Sequence, residues 1–423
     1  MSILSVRTRA VAGRRRAVAS PAIAAALAQL AQAAGSFMLQ VVAAHAMGAK
    51  GLGVVSLCLG AMILATAVTS GLVGDSLTVL DRHEPSVRAA LQGLTLIMVA
   101  GGSTVTALAL YLTGILDGPQ ATAFAVATAV FQLEEVLRRV LMASLRFWTL
   151  LVVDAAAVGS TLIALAVLAA NGGIEVVSFL VAIAIGQSVG VLVAVLVLPV
   201  PERRLVPFAA PAFRRVLSFG GWRGAQVALT PLGLTASRLV VLGATGAVAL
   251  GEVEAARVLG APALLVVQGL GSYLLSTYAR DRTVPLADLR RRARRASLAM
   301  AGTAVLVGAG VALLVPVIAP VVIGSSIDVD VVTVVGWAVF AAATATMQPF
   351  TSLAVARGHQ RAVLFVRCLD VAVGVGLLAV ALGMLSTSVS LTPFILAAGP
   401  VLGGVLVRAV VLRTPAPSLV ETS

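Results

Sequence analysis

Runs of about twenty apolar residues recur from one end of this chain to the other, and each is long enough to cross roughly 30 Å of hydrocarbon as a helix. Sixty per cent of the residues are hydrophobic and eleven per cent charged, with a mean hydropathy of +1.06. A water-soluble domain with that balance would lack polar surface to face its solvent. A transmembrane β-barrel would show strands of about ten residues with alternating polarity, and the sequence has none. The chain therefore reads as an all-α polytopic membrane protein.

Twelve spans are predicted, at about 20–46, 52–76, 89–113, 120–144, 148–170, 176–198, 220–246, 249–276, 297–323, 331–356, 362–385 and 390–412. Residues 1–19 form a basic N-terminus, 20–198 one lobe, 199–219 a linker, 220–412 a second lobe and 413–423 a tail. Arg7, Arg9, Arg14, Arg15 and Arg16 resemble the start of a signal peptide. The apolar stretch from Ala17 to Ala44 is too long for the apolar region of one, so it reads as an uncleaved first span. With both termini in the cytoplasm, 26 of the 30 basic residues lie on cytoplasmic segments, the exceptions being Lys50, Arg223, Arg238 and Arg257. The outer loops instead carry Asp117, Glu175, Asp328 and Asp330.

This topology accounts for the net charge of +13 without nucleic acid, whose recognition is expected to be absent. The basic segment Arg280–Arg295 reads as an anchor on anionic headgroups, with a regulatory or lipid-sensing helix as the alternative. Cys58 and Cys368 lie far apart within spans, and His45, His83 and His359 lack ligand spacing, so neither a disulfide, a metal nor a cofactor is expected. There is no phosphate loop, nucleophile elbow or acidic pair on an aqueous loop, so the chain is not expected to be an enzyme.

The two halves repeat. Gly48-Ala49-Lys50-Gly51-Leu52-Gly53 returns 198 residues later as Gly246-Ala247-Val248-Ala249-Leu250-Gly251, and Gly71-Leu72 as Gly269-Leu270. Gln132 and Asp154 lie 22 apart, as do Gln348 and Asp370, now displaced by 216. Six spans per half is an even number, so the halves share an orientation and should be related by a pseudo-twofold along the membrane normal. Interior prolines crowd into the second half, from Pro231 and Pro262 to Pro400, which makes the first the stiffer lobe.

Ionisable groups in mid-bilayer are costly, so they mark function or compensated structure. On span one, Gln29, Gln32, Ser36 and Gln40 share an arc of about 80°. On span seven, Arg223, Gln226, Thr230, Ser237 and Arg238 share about 120°. The 198 shift maps Gln32 onto Thr230 and Gln40 onto Arg238. Two matching stripes favour a substrate cavity over interhelical hydrogen-bond glue. Arg238 has no acid within a helical turn, so it should meet Glu252 or Glu254 on the next span or face water and an anionic substrate. Glu134, Glu135, Arg138 and Arg139 form i,i+4 pairs on span four that read either as self-neutralised charge or as a gate or coupling site. Asp154 and Asp370 are repeat equivalents; Arg367 is placed to pair with Asp370, and Arg257 with Glu254.

The stretch Ala44-His45-Ala46-Met47-Gly48-Ala49-Lys50-Gly51-Leu52-Gly53 resembles the junction after span one in the multidrug/oligosaccharidyl-lipid/polysaccharide (MOP) exporter superfamily, in particular its oligosaccharide flippase branch. Arg238, the stretch Gly246 to Arg257, and the region Gln132 to Asp154 with Glu135, Arg138 and Arg146 carry the resemblance further. It implies two six-helix lobes in a V, with spans one and seven lining a cavity. It also implies a bacterial inner-membrane flippase that turns a polyprenyl-phosphate-linked glycan to the outer leaflet for envelope polysaccharide synthesis, beside membrane lipids and polymerase or glycosyltransferase partners. A cation-coupled multidrug exporter is the alternative, disfavoured by the four per cent aromatic content; a non-transporting scaffold is the third. A membrane polymerase would need a large outer loop, which this chain lacks.

Cysteines placed at Asp117, Glu175 and Asp328, in a background without Cys58 and Cys368, should react with an impermeant thiol reagent from outside. Cysteines at Arg82, Arg204 and Arg292 should react only after permeabilisation, and the reverse pattern would overturn the topology.

Overall fold

The computed structural model describes residues 21–207, 211–280 and 284–413, so the predicted N-terminus and nearly all of the tail lie outside the described residues. Among the described residues the regular structure is helical throughout, with no strand. Nine helices among the described residues are long and apolar enough to cross a membrane. Two of them are too long for one crossing. Pro21–Thr69 has 49 residues, about 73 Å at 1.5 Å per residue, and carries spans one and two. Phe213–Arg280 has 68 residues and carries spans seven and eight. Gly118–Ala143, which bears the four charges of span four, completes twelve.

Each double span breaks at a glycine. Gly48 (φ 63°, ψ −166°) and Gly246 (φ 88°, ψ 176°) take nearly the same conformation, one that a side chain would strain. They are 198 residues apart, so the repeat read from the sequence recurs in the backbone. The following turns pack reciprocally. The Cα of Gly53 lies against the carbonyl of Ala247, and that of Gly251 against the carbonyl of Ala49. Reciprocal contact between equivalent residues is the mark of a local twofold.

Other ends follow their own chemistry. Asp117 caps span four in a reciprocal box with Gln120, and Asp330 caps span ten by accepting from the amide of Val332. Interior prolines fall at Pro231, Pro262, Pro316, Pro320, Pro349 and Pro400, all in the second half. The helix of span nine, Leu286–Val322, begins well before the predicted residue 297. Most of the basic segment placed ahead of span nine is therefore part of its helix. Leu289 and Ala293 bury their side chains against Tyr278, Phe350 and Val407, and this packing extends the helix. Three π-helical turns were not foreseen: Ser70–Gly74, Met98–Gly102 and Val407–Val411.

The chain forms two compact units. One holds the residues up to Leu39 together with Met62–Ala228; the other holds Gln40–Ala61 and the residues from Leu229 onward. The divisions between the units fall inside helices. The first unit is cored by Leu72, Val87, Leu91, Val136 and Val216 at one level and by Leu141, Leu150, Val153 and Ala194 at another. The second packs small side chains, Ala263, Ala304, Ala341 and Ala345, around Met300. Small residues let helices approach where the hydrophobic effect gives no help.

The glycine contacts generate a prediction of sign. Gly53→Ala and Gly251→Ala insert a methyl against backbone and should destabilise the protein by about 1–3 kcal/mol. Gly243→Ala, which meets open space, should be neutral or stabilising by up to about 1 kcal/mol. Thermal unfolding of the purified protein in detergent measures all three, and equal shifts would contradict the reciprocal packing.

Candidate functional site

In the first unit the charged residues of span four join a chain of ion pairs that crosses four spans. Arg138 is its centre and is 2% exposed. Its Nη1 lies 2.6 Å from Glu135 and its Nε 2.8 Å from Asp154 on span five, while Glu134 stands 4.0 Å away. Glu135 also accepts from Arg139 at 2.8 Å. Arg139 reaches toward Asp75 on span two at 3.8 Å, and Asp75 accepts from Arg223 on span seven at 2.9 Å. Arg223 then donates to Gln226 at 2.9 Å.

Helical spacing assembles most of this. Residues 134, 135, 138 and 139 repeat at three and four, which brings them to one side of span four. The chain passes the π-helical turn Ser70–Gly74, where the Ser70 hydroxyl donates to Glu135 at 3.3 Å and the Thr69 hydroxyl to Gln132 at 2.7 Å. Such turns insert a residue into a helix and recur at functional sites. Gly190 on span six lies close to Ala157 and to the Glu134 side chain, where a methyl would be crowded by both.

The second unit holds two smaller groups. Glu254 accepts from Arg238 through two nitrogens, at 2.9 and 3.2 Å, and from Arg257 at 2.7 Å. Arg257 also donates to Gln40 at 2.6 Å. Gly60 lies directly under the Arg238 guanidinium, where any side chain would collide with it. Separately, Arg367 donates to Asp370 at 3.0 Å and to the Thr230 hydroxyl at 2.9 Å. These three residues stand on the wall of a cavity of about 110 Å³, with room for several waters.

The sequence-derived candidates thus divide. The expected pairs Glu135–Arg139, Glu254–Arg257 and Arg367–Asp370 are formed. Arg238 takes the first of its two alternatives, a buried pair with Glu254, and does not stand unpaired in a cavity; a guanidinium 7% exposed needs a carboxylate beside it. Ser237 is buried and donates to the Leu234 carbonyl at 2.8 Å, which uses its hydroxyl locally. Gln32 is half-buried and Ser36 exposed, while the side chain of Gln29 lies outside the described residues. Sequence reasoning did not single out Asp75. The signal was available: Arg223 has no acid within a turn, so it needed one from another span.

No family profile and no characterised protein sequence matches the chain. Solved structures do. The chain is similar to an inward-facing multidrug resistance MATE family transporter of the MOP superfamily, with a TM-score of 0.65 and 14% identity over 89% of this chain and 92% of that one. It is also similar to the lipid II flippase MurJ in an inward closed conformation, with a TM-score of 0.69 and 11% identity over 91% and 86%. The eukaryotic MATE transporter AtDTX14 follows at 0.55 and 15%, over 92% and 94%. The chain therefore has the fold of MOP exporters, as its sequence motifs had implied.

The networks should respond differently to loss of a cation. Arg138→Leu strands Asp154 in the interior and should cost about 3–5 kcal/mol. Arg238→Leu should cost less, because Arg257 remains beside Glu254. Membrane abundance and thermal unfolding of the purified variants report this, and the reverse order would contradict the connectivity described.

Proposed function

We propose that this chain is a membrane transporter that carries an anionic, lipid-linked glycan across the bilayer by alternating access, for synthesis of a cell-envelope polysaccharide. The observation that carries this reading is the depth order of its ion pairs. Where the networks reach accessible surface, the guanidinium is outermost. Side-chain exposures are 43% for Arg223 against 21% for Asp75, 30% for Arg139 against 10% for Glu135, and 23% for Arg367 against 4% for Asp370. The acids thus sit behind the arginines and hold them in place.

A surface of that kind suits a phosphate. Guanidinium offers two parallel donors to two phosphate oxygens, so it orients the group as well as attracting it. Within the first unit Gln226 stands beside Arg223, and within the second Thr230 stands beside Arg367; such amides and hydroxyls are groups that sugars bind. A cationic drug would meet the wrong sign of charge and few aromatic faces, since aromatics are four per cent of the chain. Both kinds of cargo are carried on this fold, so it is the charge order that favours the glycan.

The first network also suggests how transport is coupled. Among the described residues the four carboxylates Asp75, Glu134, Glu135 and Asp154 pair with the three guanidiniums Arg138, Arg139 and Arg223, so uptake of one proton or cation would offset the additional acid. Glu134, with the longest contact, is the group we assign to that role.

The test uses proteoliposomes loaded with a polyprenyl-pyrophosphate-linked oligosaccharide, with appearance in the opposite leaflet as the readout. Arg223→Gln should lower transport about tenfold or more, the value of a charge-assisted contact, while abundance stays near normal. Arg223→Lys should restore part of it. If the wild-type protein leaves the lipid in place but raises resistance to cationic drugs in cells, the multidrug reading is correct.

A further inference from the structure

The first unit contains a second recess that the ion-pair chain does not use. It has a volume of about 420 Å³, in the range of ligand pockets. Its apolar throat lies between spans three, four and six and includes Leu91, Leu96, Leu133, Leu137 and Val195. Leu96 and Val195 are exposed on its rim, where only lipid can meet them in a membrane. Its other end is closed by the linker after span six and bears Arg82, Arg88, Arg203 and Glu202.

All three guanidiniums are fixed, but among the described residues only Arg82 is paired with a carboxylate. Arg82 donates to the Glu202 carboxylate at 2.9 Å. Arg88 donates instead to the carbonyls of Pro201 and Glu202, at 2.8 and 2.9 Å. Arg203 donates to the carbonyls of Leu198 and Leu196, at 2.9 and 2.6 Å. Carbonyls accept hydrogen bonds without cancelling charge, so one carboxylate faces three cations. The polar end is therefore preorganised and short of negative charge.

We infer that this recess binds one anionic glycerophospholipid of the surrounding leaflet, with an acyl chain in the throat and the phosphodiester at Arg82, Arg88 and Arg203. Charge complementarity and the amphipathic lining select that occupant over a neutral lipid. Position argues against the transported lipid. On span four the recess takes residues 133, 136, 137 and 140, which point about 180° away from the ion-pair residues 134, 135, 138 and 139. Because the headgroup also meets the linker, an occupied site ties spans three, four and six to that linker. The inference stands whichever cargo the protein carries.

Delipidated full-length protein in detergent is titrated with phosphatidylglycerol, phosphatidylcholine or a short-chain polyprenyl pyrophosphate, followed by native mass spectrometry and thermal unfolding. One phosphatidylglycerol should be retained per chain and should raise the unfolding temperature, and phosphatidylcholine should do neither. The double variant Arg88→Gln/Arg203→Gln should weaken retention about tenfold or more. Those arginines also hold the linker, so Val195→Trp, which fills the throat and touches no ion pair, should weaken retention while the protein without lipid unfolds as wild type does. Arg291→Gln, on the helix of span nine, should change nothing. Equal binding of phosphatidylcholine, or equal loss with Arg291→Gln, would overturn the inference. Displacement of phosphatidylglycerol by equimolar polyprenyl pyrophosphate would assign the recess to the cargo instead.

Discussion

A guanidinium at the centre of a membrane costs about 2.5–3.5 kcal/mol on insertion scales, unless carboxylates accompany it. Arg138 imposes that condition on everything around it. Two carboxylates touch it and a third stands one turn away, from two different helices. Satisfying Arg138 brings Glu135 in, Glu135 brings Arg139 in, and Arg139 needs Asp75, which completes Arg223. Neighbouring hydroxyls follow from the same need. Ser70 donates to Glu135, and Gly190 stands close to both Ala157 and the Glu134 side chain. Replacing such a group by apolar residues can be neutral or stabilising in other proteins. Its presence here is therefore better explained by what it positions than by what it stabilises.

The second unit meets the same condition with the opposite balance. There one carboxylate, Glu254, serves two guanidiniums, and Gln40 takes a remaining donor of Arg257. That last bond ties the end of span one to span eight. The first group carries an excess of acid and the second an excess of base. In both, a glycine lies directly against a guanidinium-bearing side chain, Gly74 against Arg139 and Gly60 against Arg238.

Fold was legible from the sequence to the extent that it depends on local rules. Twenty-residue apolar runs gave the spans, and the glycine pattern gave a repeat whose members, Gly48 and Gly246, share a backbone conformation. Pairs within one helix, such as Glu135–Arg139 and Arg367–Asp370, follow from spacing alone. Links between helices do not. Asp154 to Arg138 and Asp75 to Arg223 depend on which faces meet, and a spacing rule contains no such information. Arg238 shows the same limit, since charge cost required a partner without choosing between an acid and a cavity. The helix of span nine shows another: its predicted start at residue 297 follows the arginines Arg290 to Arg295, while Leu289 and Ala293 between and beside them are packing residues that carry the helix back to Leu286.

The π-helical turn Ser70–Gly74 sets the angular phase of everything that follows it on span two. An α-helix advances 100° per residue, so one inserted residue offsets the downstream face by that amount. Asp75 comes immediately after the turn, and Arg139 and Arg223, with which it pairs, lie on other spans. Were one residue of Ser70–Gly74 deleted and the regular helix restored, Asp75 would swing about 100° off Arg139 and Arg223 with its composition and hydropathy almost unchanged. The insertion therefore works like an indexing notch. It separates the apolar register that seats the helix in the bilayer from the register that aims its one carboxylate, and lets each be right at once.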